Sequence, residues 1–322
     1  MFVGLKKKKK VKKTKTYLAA IDIGSNAIRM VIAEHTLQGL RLVKKYRFPI
    51  RLGADVFNKG KIGAKNLKLS ARTFKKFKNL TTEKYHIHHI RAVGTSALRE
   101  ASNAKAFLDL VRRKSGIKIE VIDGVEEAKL IHLAVRREVH LDSQNALLID
   151  IGGGSVELTF SEHSMMTATH SFPFGTVRTL EMMKKRKLSE SQLGLVMGDF
   201  LEPLTHFIQS NEPGQSVDFA VGTGGNLESL GKLKPLLIGG SSRTFISYRE
   251  LSEMILRLQK MTYKERITKL GMRADRADVI VPAALVVQTV MRQSRLDKLI
   301  IPHVGLKDGL LWTMLNETTY LK

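Results

Sequence analysis

The chain has 322 residues, 43% of them hydrophobic, which is enough for two domains with cores of their own and excludes a largely disordered protein. It contains no cysteine, which excludes disulfides and thiolate metal sites and fits a cytoplasmic protein, and no apolar run approaches the ~20 residues of a membrane helix. The formal charge is +24; eight lysines lie between Lys6 and Lys15, and without them the body still carries +16, so an anionic partner or substrate is expected.

Residues 1–16 read as a basic, disordered tail with no signal-peptide core after it. Nucleic-acid contact by this tail is the less favoured use, because no aromatic residue interleaves with the lysines. Residues 17–23 predict a buried strand, and residues 29–33 its partner after a turn at Gly24-Ser25-Asn26. Further strand is expected over 40–51, a helix over 64–80 and a strand over 87–93. His86, His88 and His89 precede that last strand and read as surface and strand residues rather than metal ligands. A loop then feeds a helix that stops at Gly116, a strand follows over 117–122, and after Asp123-Gly124 a helix is expected over 126–139.

The pattern then restarts. Residues 146–151 and 156–161 predict a glycine-turned hairpin and 165–172 a third strand. Helices follow over 176–187 and 189–210, then a short strand over 219–221 that ends at Gly222-Thr223-Gly224-Gly225-Asn226, with a helix from Leu227. Residues 248–269 and 277–295 predict helices, 298–302 a strand and 307–315 a closing helix. The apolar 277–295 helix suits either a core or the surface of a homodimer, which is the expected assembly. Ile-Asp-Ile-Gly occurs at Ile21 and again at Ile149, 128 residues later, so the chain reads as an α/β protein with an internal duplication.

Each repeat places an aspartate, Asp22 or Asp150, at a strand exit before a turn of small residues. Backbone amides in such a turn form a nest for phosphate, at Gly24-Ser25-Asn26 and at Gly152-Gly153-Gly154-Ser155. The aspartates repel phosphate but can hold Mg²⁺, which bridges to it. Glu157 and Ser155 lie two apart on the returning strand and share a face, so Glu157 can join Asp150 on a metal or position a water. Thr95, Ser96, Arg99 and Arg178 add donors suited to phosphate oxygens, although Thr95 and Ser96 equally suit helix capping and Arg99 a surface charge. In the helix over 126–139, Glu126 can pair with Lys129, whereas Glu127 sits above Leu130, Ile131 and Ala134 on the apolar side. On the residues alone, Glu127 reads equally as a base for water and as a first-turn glutamate stabilised by the helix dipole.

The segments DIGSNAIRM, GTSALREASNA, VIDGVEEAKLI, LIDIGGGSVEL, SFPFGTVRTLE, VGTGGN and RADVIVPAAL occur in that order. Together they resemble the exopolyphosphatase and guanosine pentaphosphate phosphohydrolase family of the actin-like ATPase superfamily, from Tyr17 to the C-terminus. Because the sequence ends at Lys322, it resembles the short, two-domain members. The resemblance implies two actin-like (ribonuclease H-like) domains, 17–130 and 131–322, with an interdomain cleft and the C-terminal helix packing back on the first. It implies hydrolysis of terminal phosphoanhydride bonds of polyphosphate or guanosine pentaphosphate with Mg²⁺, and it assigns the catalytic glutamate of the family's G-x-E-E-A segment to Glu127. Gly222, Gly224 and Gly225 fall where the superfamily has nucleotide-binding glycines. Asn226 and Ala27 depart from the hydroxyl residues common in the family, which bears on substrate choice. An actin-like kinase or ATPase, or a non-catalytic polyanion binder, are the alternatives.

Overall fold

The computed structural model describes residues 16–211 and 217–319; the expected tail lies outside them except for Thr16, which opens the first strand. In the first sheet, β1 (Thr16–Ile23), β2 (Ile28–Thr36) and β3 (Gly39–Phe48) form an antiparallel meander, and β4 (His89–Gly94) and β5 (Ile119–Val121) run parallel to β1, in the order β3-β2-β1-β4-β5. Its helices are α1 (Leu52–Lys59), α2 (Ala64–Asn79), α3 (Ser96–Glu100), α4 (Ala104–Ser115) and α5 (Gly124–Val135).

The second sheet repeats this plan. β6 (Asn145–Ile151), β7 (Val156–Glu162) and β8 (Met165–Phe172) form the meander, β9 (Phe219–Thr223) runs parallel to β6, and β10 (Phe245–Ser247) and β11 (Lys298–Ile300) complete the order β10-β11-β9-β6-β7-β8. Its helices are α6 (Thr176–Lys185), α7 (Leu193–Asn211), α8 (Gly224–Ile238), α9 (Tyr248–Gln259), α10 (Tyr263–Thr268), α11 (Ala274–Ala277), α12 (Ile280–Gln293) and α13 (Leu306–Thr319). This is the duplicated actin-like α/β architecture, and among the described residues no helix is long and apolar enough to cross a membrane.

Strand alternation decides where the site falls. In β1, Ala19, Ile21 and Ile23 enter the outer core with Phe74 and Phe77 of α2, while Leu18 and Ala20 face the layer between the sheets. In β6, Leu147, Ile149 and Ile151 face outward against the second lobe's helices, and Ala146 and Leu148 face inward. Asp22 and Asp150 continue the two inward rows, so both apolar stripes end on a carboxylate between the sheets. The inner layer is closed by Leu130 and Ile131 of α5 and by Leu310, Leu311 and Met314 of α13. The two helices touch backbone to side-chain-free backbone: a Cβ on Gly309 would overlap the main chain of Leu130. Gly309→Ala is therefore expected to lose about 2 kcal/mol despite alanine's better helix propensity. A melting temperature equal to or above the parent's would contradict this packing.

Several boundaries differ from the sequence reading. β3 ends at Phe48, three residues before the expected end, because Pro49 has no N–H, and α1 follows where no element was expected. α5 starts two residues early because the Asp123 side chain accepts from the Glu126 amide, 2.8 Å, which leaves Glu127 in its first turn. The Glu126–Lys129 pair is absent from the ion pairs of the described residues. The helix expected over 248–269 is split by Thr262, which caps α10, and the one expected over 277–295 begins at Ile280 with Pro282 in its first turn. His86, His88 and His89 are exposed.

Candidate active site

The two hairpin turns are built alike. Gly24 N–H donates to Ala27 O and Gly152 N–H to Ser155 O, both at 3.1 Å, and in each hairpin the residue seven positions after the aspartate pairs with it across the strands. That residue differs: Asp22 faces Arg29, and Asp150 faces Glu157. The turns also meet. A Cβ on Gly153 would lie 3.0 Å from Ser25 Cβ and 3.2 Å from the Asn26 amide nitrogen, and one on Gly154 would overlap Ser96 Oγ and the Phe57 ring. Gly153 and Gly154 are thus required by close approach between the lobes, while a Cβ on Gly152 would come 3.1 Å from Ser155 O of its own turn. Around this junction lies a cavity of ≈ 360 Å³ that both turns line.

Three carboxylates gather beside it: Glu127, Asp150 and Glu157 each bring an oxygen within 4.8 Å of the others. Glu127 reaches there because the first turn of α5 is pressed against β8, where a Cβ on Gly124 would overlap Ser171. Ser171 in turn donates to Glu157 Oε1 at 2.7 Å. Thr223 donates to Asp150 at 2.5 Å, and Arg99 Nη1 donates to Glu127 Oε2 at 3.2 Å and to Ile122 O at 2.8 Å. Burial lifts the Glu127 carboxyl well above the usual range, with the charges of Glu157 and Asp150 adding to it and Arg99 opposing. Burial, then Asp150, pushes Glu157 up to about 7. Burial also raises Asp150, against the Thr223 hydrogen bond. Glu157 Oε2 is buried without a partner. An all-oxygen set with mutual repulsion and an orphaned oxygen fits a hard divalent cation.

Asp22, expected among the metal ligands, lines the same cavity but is not one of the three clustered carboxylates; its Oδ2 accepts from the Arg29 guanidinium at 2.7 Å. Burial pulls Arg29 down, but the Asp22 contact outweighs it and holds the group above its ordinary value. Of the other residues expected at the site, Gly24, Ser25, Asn26, Thr95, Ser96, Gly152, Gly153, Ser155, Gly224 and Gly225 line the cavity with Glu127 and Asp150. Ser25 and Ser96 share a hydrogen bond at 2.9 Å, and Thr95 makes no side-chain cap to α3. Asn26 spends its side chain between the lobes, donating to Asp275 O at 3.0 Å and accepting from Arg51 at 2.7 Å. Arg99 meets the site through Glu127 and does not line the cavity. Gly154 and Gly222 pack behind it. Arg178 also stands outside: it donates to Gly154 O at 2.8 Å, pairs with Glu100 and stacks on Phe57 at 4.1 Å. Gly224 opens α8 at φ +85, and a Cβ there would come 3.0 Å from Asp150 Oδ1, so this position requires glycine.

The sequence reading did not find the cavity's basic wall, formed by Arg29, Lys45, Arg47, Lys232, Arg273, Arg276 and Lys307. Arg276 is buried; its Nη1 donates to Asn226 Oδ1 at 2.5 Å and its Nε has no partner. Burial, then Arg29 and Arg47, pulls its guanidinium down to about 9, the signature of a cation held where an anion belongs.

Residues 31–318 match the model of the Ppx/GppA phosphatase family. Exopolyphosphatase 1 of Mycobacterium tuberculosis is 26% identical over 309 residues, which cover 93% of this chain and 88% of that protein. Guanosine-5'-triphosphate,3'-diphosphate pyrophosphatase of Aliivibrio fischeri is 26% identical over 306 residues, 93% of this chain and 59% of that longer protein. The crystal structure of an exopolyphosphatase from Cytophaga hutchinsonii matches with a TM-score of 0.83 at 26% identity over 94% of this chain and 98% of that one. A Ppx/GppA member from Aquifex aeolicus matches at 0.77 with 25% identity, over 94% and 99%. Its two duplicated sheets and the near full-length match together place this chain in the Ppx/GppA phosphatase family.

Proposed function

We propose that this protein hydrolyses the terminal phosphoanhydride bond of inorganic polyphosphate or guanosine pentaphosphate and releases orthophosphate. The observation that carries the reading is the meeting, around one cavity, of twin glycine turns, a basic wall and a cluster of three carboxylates, of which Glu127 and Asp150 line the cavity and Glu157 stands behind them. We take the lobes as residues 17–130 and 131–322, with α13 lying against the first. The turn amides at Ser25, Asn26 and Gly153, which close no backbone hydrogen bond of their own turns, form the nests for the terminal phosphate. Ser25, Ser96 and Thr95 hydroxyls and the amides of Gly224 and Gly225 supply further donors. Arg276 and Arg29 compensate the charge of the phosphates behind the terminal one.

Glu127 takes the proton of the attacking water. The water oxygen bonds to the terminal phosphorus, the bridging P–O bond breaks, and the negative charge passes to the phosphate chain that leaves. Arg99 acts through Glu127, holding its carboxylate in place and favouring its ionised form. Asp150 and Glu157 would hold Mg²⁺, which when bound neutralises carboxylate and phosphate charge and so strengthens the electrophilic phosphorus. The basic body draws the polyanion to the cleft and makes the rate fall with salt. The lack of cysteine supports action in a reducing cytoplasm.

The test is phosphate release from polyphosphate and from guanosine pentaphosphate with Mg²⁺ present. Release from at least one of them, stopped by a chelator, is expected. Turnover of ATP alone with transfer to an acceptor would replace this reading by a kinase, and binding of polyphosphate without turnover would replace it by a binding module.

A further inference from the structure

We propose that the cationic face of α2, continued over the edge strand β3 into the cavity, is a docking track for the distal part of a long linear polyphosphate; the proposal rests on the polyphosphate reading of the cleft. Residues 64–84, α2 and the turn after it, carry seven cations against one acid, Glu83. All seven are exposed, and none of them takes part in an ion pair among the described residues. Lys68, Arg72 and Lys76 follow at i, i+4 spacing, so like charges stack along the helix at about 5.4 Å per turn. In the free protein this arrangement only repels. A flexible chain bearing a charge on every unit relieves all of these repulsions at once.

The track is continuous with the site. Arg72, Lys75, Lys76 and Lys84 line a shallow groove, and Lys76 stands 5.4 Å over the ring of Phe48, the last residue of β3. β3 is the edge of its sheet and holds four cations and no acid. Its alternation carries charge from one face to the other: Lys44, opposite Ile32, lies on the α2 side, and Lys45, opposite Val31, lines the cavity with Arg47. The aromatic rings along the way favour polyphosphate over nucleic acid. Phe48 packs into the outer core and the cations of Lys76 and Lys84 sit over Phe48 and Tyr85, so along α2 no free ring is presented for a base to stack on; Tyr46, half in the outer core, is the one ring on the way that also reaches the cavity lining.

The test uses the full chain with Lys68, Arg72, Lys75 and Lys76 all changed to Gln, a set that removes repulsion and should leave α2 folded. The second variant carries Glu at the same four positions. With long-chain polyphosphate at low salt, KM should rise about tenfold in the Gln set and further in the Glu set, with kcat unchanged. KM for tripolyphosphate should not move, and that unchanged value also reports an intact cleft. Equal effects on both substrates, or none on either, overturn the track. Equilibrium binding of long-chain polyphosphate to Glu127→Gln, with and without the four changes, separates the track from the chemistry. If the parent turns over no polyphosphate yet binding weakens about tenfold, the track stands and the hydrolase reading falls. Tighter binding of single-stranded RNA than of polyphosphate, lost in the same variants, would overturn the proposal in favour of a nucleic-acid surface.

Discussion

Glu127→Gln is expected to lower phosphate release by about 10³-fold while leaving substrate binding within about threefold, and to raise the melting temperature. The first effect follows from the loss of the proposed base. Gln is isosteric and its amide oxygen still accepts from Arg99, so the geometry of α5's first turn survives while proton uptake does not. The second follows because the change leaves the turn amides and the basic wall of the cavity unaltered. The rise in stability is the diagnostic part. Burial and the neighbouring Glu157 and Asp150 hold the Glu127 carboxyl well above its usual range, so its ionised form works against folding at neutral pH, and an amide removes that cost. A variant that lost activity by unfolding would melt lower; one that lost a strained base melts higher. Activity within about threefold of the parent would remove Glu127 from the mechanism.

The features that sequence made legible are those set by local rules. Alternation in β1 and β6 sends Asp22 and Asp150 inward, and turn chemistry requires small residues after each, so the twin hairpins could be read directly. Glu127 stood out as a carboxylate on an apolar helix face. What escaped was set by distance. Arg276 and Arg273 lie in and just before a short helix some 250 residues after the first turn; Arg276 opens the segment RADVIVPAAL, but nothing local there shows that the guanidinium enters the cleft. Arg178 and Asn26 carry chemistry suited to phosphate, yet the fold uses their side chains to join the two lobes, Arg178 through Glu100 and Phe57 and Asn26 through Asp275 O. One missed signal was available: each aspartate is followed seven residues later by its cross-strand partner, Arg29 in one hairpin and Glu157 in the other. That register alone separates an aspartate paired with an arginine from one that joins a carboxylate cluster. α1 and β10 were illegible for a plainer reason, since eight and three residues are too short to show a period.

The carboxylate cluster should also make stability depend on pH and divalent cation together. Glu157 moves from an ordinary 4.5 to about 7 in the folded protein. The folded state therefore holds its proton where the unfolded chain has released it, so this group's effect is nil below about pH 4.5 and destabilising above it. The loss grows as pH rises to about 7 and levels near 3 kcal/mol. His132, buried against Ser161, opposes it: its pKa falls from 6.5 to about 4, so its contribution is present above pH 6.5 and lost as pH falls toward 4. The two oppose each other, and the raised Glu127 and Asp150 add to the carboxylate side, so a simple melting profile mixes them. The difference between the parent and Glu157→Gln isolates the carboxylate. Without divalent cation, the variant should match the parent near pH 5 and exceed it by about 3 kcal/mol near pH 8. On the proposed Mg²⁺ site, the cation takes the ionised set, so it should raise the parent's melting temperature more at pH 8 than at pH 6, release protons at the lower pH, and do neither to the same extent in the variant. A parent-minus-variant difference that is flat across this range, or equal Mg²⁺ stabilisation at both pH values and in both proteins, would mean that these three carboxylates share neither protons nor a cation.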